Sequence, residues 1–131
     1  LARSVRGRIL DSPVLDWRNV FVYQGADRGL PRPMSLIAAW TVERRTGMDL
    51  DRFDWVKRAA ALDKPVLLFA GDGDTYVPNG PALELARIRP DLVTLVDEPR
   101  ADHVRTWNVD PARFETTTLD WLTGIGVLRP A

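Results

Sequence analysis

The run Pro65-Val66-Leu67-Leu68-Phe69-Ala70 constrains the fold of this chain more than any other stretch. Its apolar residues leave no polar face, so a strand built from them must be covered on both sides. That is the condition of an interior strand in a parallel sheet layered between helices. Gly71 to Pro78 then breaks the pattern with glycines, aspartates and a proline, as a loop does. Two further strand signals flank this one. Gly7 to Leu10 is stopped by Asp11-Ser12-Pro13, and Leu92 to Val96 runs into a polar loop from Asp97 to Val109. Helical patterns lie between the strands, so the expected fold is α/β: a parallel sheet of about three strands with flanking helices and right-handed crossovers.

The helices announce themselves by their ends. Asp16 suits an N-cap, with Trp17, Val20, Phe21 and Gln24 along one face of a helix that fades from Gly25 to Gly29. Pro33 suits the first position and Gly47 the C′ position of a helix over 33–46, whose stripe of Met34, Ile37, Ala38, Thr41 and Val42 is predicted to face inward. Leu36 and Trp40 lie off that stripe, which predicts packing on two sides or one side facing a pocket. Asp49 to Phe53 reads as a linker, and Asp54 as the cap of a short helix with Trp55, Ala59 and Leu62 in step. Pro81 opens a helix over 81–89 that turns Ala82, Leu85 and Ala86 inward and stops at Pro90. Asp110-Pro111 opens the last helix, burying Phe114, Trp121 and Leu122.

Composition removes several function classes. A chain of 131 residues allows one domain. Lys plus Arg and Asp plus Glu both number 18 and are mixed along the length, so nucleic acid is not an expected partner. Without cysteine there is no disulfide framework, thiolate zinc site or Cys nucleophile. No stretch approaches membrane-spanning length, so no membrane partner is expected. Arg3, Arg6 and Arg8 interrupt any secretory apolar region, which favours the cytoplasm without fixing a compartment. The chain opens on Leu1 almost directly before a strand pattern, as a piece of something longer would.

In a parallel α/β sheet, ligands bind outside the carboxyl ends of the strands. The loops there are Asp11 to Asp16, Gly71 to Pro78 and Asp97 to Val109, and the last two carry Asp72, Asp74 and the only histidine, His103. A carboxylate on one nitrogen of a neutral imidazole fixes its tautomer and lets the other nitrogen take and return a proton. The same residues have a plainer reading. Aspartates in a Gly-rich turn serve turn geometry, and a lone loop histidine is often a satisfied structural residue.

The run from Pro65 through Gly71-Asp72-Gly73-Asp74-Thr75-Tyr76-Val77-Pro78, followed by Asp102-His103 after a helix and a strand, resembles the carboxyl-terminal half of the α/β-hydrolase superfamily. That family ends a buried strand in Gly-x-x-Asp-x-x-Val-Pro and places its histidine after the final strand, in the order acid then histidine. The resemblance covers roughly residues 5–123. It implies that Asp74 and His103 are the acid and base of a Ser-Asp-His catalytic triad, leaves Asp72 to the turn and Asp102 to solvent, and makes 12–63 a helical cap-like insertion. It further implies an esterase-like serine hydrolase acting on a small-molecule ester or related acyl substrate.

The family's nucleophile is missing. Its serine sits in Gly-x-Ser-x-Gly, whereas Ser4, Ser12 and Ser35 each lack a glycine two residues away, and Pro13 removes the amide that would follow a nucleophile at Ser12. Residues 1–131 are therefore expected to form only the carboxyl-terminal part of such a domain, inert by itself against activated esters. No cofactor or metal is expected. Gly71-Asp72-Gly73 would continue a dinucleotide fingerprint only with glycine at Tyr76, Val77 stands where a calcium loop needs glycine, and one histidine without cysteine makes no zinc set. Trp107-Asn108 reads as packing before the last helix. A non-enzymatic binding or self-association module on the same fold is the alternative. The bare side of the Gly7 to Leu10 strand, with cap helices presenting Leu36 and Trp40, predicts a homo-oligomer.

Overall fold

A computed structural model describes residues 5–129; Ser4 lies outside the described residues. The chain folds as β1 (Arg8–Asp11), α1 (Trp17–Asp27), α2 (Arg32–Thr46), β2 (Val66–Ala70), α3 (Gly80–Ile88), β3 (Val93–Asp97), α4 (Thr106–Val109) and α5 (Pro111–Gly124). Among the described residues the sheet has three parallel strands in the order β1-β2-β3. Arg8 pairs with Val66 and Val66 with Val93, so β2 is central, and all five of its residues are buried. β1 and β3 each begin one residue later than the sequence pattern predicts.

Alternation along β2 supplies both faces of the core. Val66, Leu68 and Ala70 join Leu15, Ala82, Leu85 and Val93 under α3. On the opposite face Phe69 stacks on Phe114 of α5, with ring centroids 4.2 Å apart. Trp121 and Ile125 cover Gly7, where a Cβ would lie 2.6 and 2.8 Å from their side chains. The helix ends follow the local chemistry. Asp16 accepts from the Asn19 amide, Asp110 from the Arg113 amide, and Gly47 closes α2 at φ 71°.

The inward face of α2 differs from the predicted stripe. Ser35 and Ala39 are buried, whereas Met34, Ile37 and Trp40 are 53%, 61% and 56% exposed. The reason is the close approach of α1. Gly25 lies directly on Ser35, and a Cβ there would stand 3.1 Å from the Ser35 Cβ and closer still to its Oγ. The contact selects small residues and turns the large ones outward, so α2 packs on one side, and Trp40 lies under the Arg44 guanidinium rather than against a pocket. The predicted short helix after Asp54 is also different. Asp54 does accept from the Lys57 amide at 2.9 Å, but turns and a 3-10 segment at Ala59–Ala61 follow. The predicted linker is itself a 3-10 turn, Leu50–Phe53, with Leu50 buried.

A polar tie holds α1, α2 and that turn together. Arg18 donates to Glu43 Oε1 at 2.8 Å, and the same oxygen accepts the Leu50 amide at 3.0 Å. Asp51, which Arg18 also reaches, and Glu43 together raise the Arg18 guanidinium further above its ordinary value, against some desolvation. Glu43→Ala leaves Arg18 with Asp51 alone and the Leu50 amide without its acceptor, and is expected to lower stability by about 1 kcal/mol, read by chemical denaturation.

Candidate functional site

The three loops at the carboxyl ends of the strands converge, and glycine makes the approach possible. The Gly71 and Gly73 backbones lie against the Ala101 carbonyl; a Cβ on Gly73 would sit 2.9 Å from that oxygen, and one on Gly71 nearer. These glycines serve close backbone approach. The loop after β3 starts from Glu98, whose amide donates to the Ala70 carbonyl at 2.8 Å and whose buried carboxylate pairs with Arg113 of α5 at 2.7 Å. Its far end is tied to β1, where Thr106 Oγ1 donates to Asp11 Oδ1 at 2.6 Å.

Asp74 is at the centre of this arrangement, with a side chain 2% exposed. Its Oδ1 accepts the backbone amides of Tyr76 and Val77, both at 2.8 Å, and its Oδ2 lies 2.9 Å from Nδ1 of His103. A carboxylate this deep is costly unless its lone pairs are met, and three N–H groups meet them. A carboxylate on Nδ1 favours the tautomer that carries its proton there, which leaves a lone pair on Nε2. Among the described residues Nε2 has no hydrogen-bond partner, and the imidazole is about one-third exposed, beside the Tyr76 ring. The cavity beside Asp74, lined by Ser12, Pro13, Gly71, Val77 and Ala82 among others, amounts to about 10 Å³, enough for one water and too small for an acyl group.

The loop that carries Asp74 has a support that the sequence did not reveal. Tyr23 of α1 donates its hydroxyl to the Asp74 carbonyl at 3.2 Å, and Gln24 donates to the carbonyls of Thr75 and Tyr76 at 2.8 and 3.0 Å. Backbone carbonyls leave no sequence signature, so nothing in the pattern of α1 marks these two residues as holding the loop.

The other candidates are placed as follows. Asp72 is exposed and bonds to Asn79, away from the imidazole. Ser12 is buried at φ 48°, donates its amide to the Phe69 carbonyl and has its Oγ 3.4 Å from Asp11 Oδ1. Ser35 lies between α1 and α2, its hydroxyl without a partner among the described residues. Neither serine hydrogen-bonds to His103. Trp107, predicted to pack, is 47% exposed, and its indole N–H reaches Glu115 on α5. Asp102, predicted to be solvated, is half-buried and accepts the His103 amide at 2.7 Å. Among the described residues there is no cluster of three or more His, Asp or Glu that could hold a metal ion, and no helix is long and apolar enough to cross a membrane.

Negative charge gathers at this end of the sheet. Partial burial, with the like charges of Asp72 and Glu98, pushes the Asp97 carboxyl above its ordinary range against a smaller pull from Arg113. Folding therefore disfavours its ionised form. The penalty is absent below the unfolded carboxylate value and complete above the raised folded value, so stability falls as pH rises between them. Asp97→Asn is expected to raise the Tm at pH 7, with the gain vanishing near pH 3, in paired thermal melts.

Neither a protein-family model nor a curated protein matches the sequence. Among solved structures, the chain is similar to the Pyrococcus furiosus esterase Pf2001. In one crystal form the identity is 19% with a TM-score of 0.64, and in another 20% with 0.63. Each match covers 93% of this chain and 45% of the esterase chain, so this chain spans less than half the length of that protein. The likeness shows the fold: a three-stranded parallel sheet with flanking helices, a partial α/β fold.

Proposed function

We propose that this chain carries the acid–base half of a serine hydrolase site, with Asp74 as the acid and His103 as the base. The observation that supports it best is the 2.9 Å contact between Asp74 Oδ2 and His103 Nδ1, with Nε2 left unpartnered among the described residues. In this reading Nε2 takes the proton of a serine hydroxyl as the oxygen attacks an ester or related acyl carbonyl. It then gives that proton to the leaving alkoxide, while Asp74 keeps the tautomer and stabilises the imidazolium. The serine and the oxyanion donors come from a partner portion of the complete protein, and residues 12–63 act as a cap whose α1 steadies the acid loop. The described chain alone hydrolyses activated esters no faster than free imidazole, because positioned nucleophile and oxyanion donors supply most of the acceleration.

The single histidine makes the test direct. Nitrogen-15 NMR of the neutral ring should report a proton on Nδ1, and Asp74→Ala should return it to the Nε2–H form of free histidine. A wild-type ring already in the Nε2–H form would end the acid–base reading.

A second reading, a self-associating module, draws on the unpaired outer side of β1. Among the described residues β1 pairs only with β2, and Ile9 on that edge is 40% exposed. Edge strands of this kind are templates for pairing with another copy. Light scattering at micromolar concentration should then report a two-fold dimer that Ile9→Lys dissociates; a monomer at those concentrations removes this reading.

A further inference from the structure

We propose that Thr106 is a positioning residue: through its hydroxyl on Asp11 it latches the loop that carries His103 to the end of β1, and so keeps the imidazole on its carboxylate. The inference rests on the acid–base reading above and names a residue that reading does not use.

β1 and β3 are not neighbours in the sheet, because β2 lies between them. The loop that leaves β3 at Asp97 must therefore cross the carboxyl end of β2 to reach Asp11, and it crosses where the loop that carries Asp74 departs. Two contacts hold the crossing. Ala101 seats against the Gly71 and Gly73 backbones, and Thr106 Oγ1 donates to Asp11 Oδ1 at 2.6 Å, the length of a hydroxyl bonded to a carboxylate. Residues 102–105, His103 among them, are suspended between these two points. Among the described residues the imidazole has one hydrogen bond, the one to Asp74, so its position depends on the backbone that carries it. That backbone is strained. Val104 adopts φ 53° in the left-handed region, where a β-branched side chain is strongly disfavoured, and such a turn persists only when its surroundings hold it. The turn's own bond, from the Arg105 amide to the Asp102 carbonyl at 3.1 Å, ends directly before Thr106. The latch has fixed points on both sides. Thr106 is buried, and Asp11 pairs with Phe69 of the central strand, where the Ser12 amide extends the ladder by donating to the Phe69 carbonyl at 3.0 Å. Ser12 Oγ stands 3.4 Å from the same Asp11 oxygen, so Thr106 is the closer donor. Asp74 and His103 can touch without this bond, and the bond keeps the loop from swinging away. A threonine that served packing alone would tolerate valine with no consequence at the imidazole.

The test reads the tautomer of His103 by nitrogen-15 NMR, together with amide exchange at Arg105. Thr106→Val keeps the shape and removes the donor, so it should mix the Nε2–H form into the ring and speed Arg105 exchange about tenfold or more. Thr106→Ser keeps the hydroxyl and should preserve the Nδ1–H form. Glu43→Ala is the control: it lowers stability away from these loops and should leave the tautomer unchanged, which separates positioning from general loosening. A wild-type tautomer in Thr106→Val, with the tautomer still lost in Asp74→Ala, would overturn the latch and leave the acid–base reading standing. A serine variant as impaired as the valine variant would assign the effect to packing and overturn the latch as well. A wild-type ring without the Nδ1 proton would overturn both. Should the valine variant not fold, Asp11→Ala decides, because it removes the acceptor from the half-buried side of the bond: mixed tautomers support the latch, and a wild-type tautomer overturns it.

Discussion

Alanine at Gly71 is expected to cost about 3 kcal/mol of stability and to part Asp74 from His103. The backbone at Gly71 is not in the left-handed region, so the requirement is space. A Cβ there would lie 2.9 Å from the Ala101 Cβ and 3.0 Å from its carbonyl carbon, with the carbonyl oxygen closer still. Two of these obstacles are backbone atoms, which cannot rotate aside as a side chain would. The loops must separate, and with them Asp74 and His103. That places the cost at the upper end of what overpacking usually brings. Chemical denaturation gives the stability and nitrogen-15 NMR the state of His103; a Gly71→Ala protein of wild-type stability with its Nδ1 proton in place would show that the loops are not in contact.

Phe69→Ala is expected to cost about 3–5 kcal/mol. Phe69 is 1% exposed in the central strand, and its ring stacks on Phe114, so truncation removes both the buried area and the partner that seats α5. Domains have roughly 5–15 kcal/mol in total, so the variant should be partly unfolded at moderate temperature. Phe114→Ala, at a half-buried position, should cost less. Equal losses below about 1 kcal/mol, measured by denaturation of both, would mean that α5 is not packed on the sheet.

The central strand was legible because an unbroken apolar run admits few other placements, and the capping residues Asp16, Gly47 and Asp110 were legible because their partners lie within a few residues. Spacing also carried Asp74 and His103 to the same end of the sheet, since each follows a strand. What escaped depends on contacts between distant segments. The outward turn of Met34, Ile37 and Trp40 follows from Gly25 meeting Ser35, a helix–helix contact that hydrophobic periodicity does not encode. Tyr23 and Gln24 hold the loop that carries Asp74 through backbone carbonyls some fifty residues away. Trp107 suggested packing by its place before the last helix, and its indole instead bonds a surface glutamate.

The pairing of Arg8 with Val66, and of Val66 with Val93, also has a kinetic side. The chain joining β1 to β2 is about two and a half times as long as the chain joining β2 to β3, a difference that adds only about 0.8 kcal/mol of closure entropy. Equilibrium hardly distinguishes the two closures, but local pairings generally form sooner than distant ones. The earlier unit, β2-α3-β3 with its two loops, already contains Asp74, His103 and the Ala101 seat between them. Asp74 and His103 are therefore expected to meet before β1 and the helices between β1 and β2 have docked, with Tyr23 and Gln24 fixing the loop afterwards.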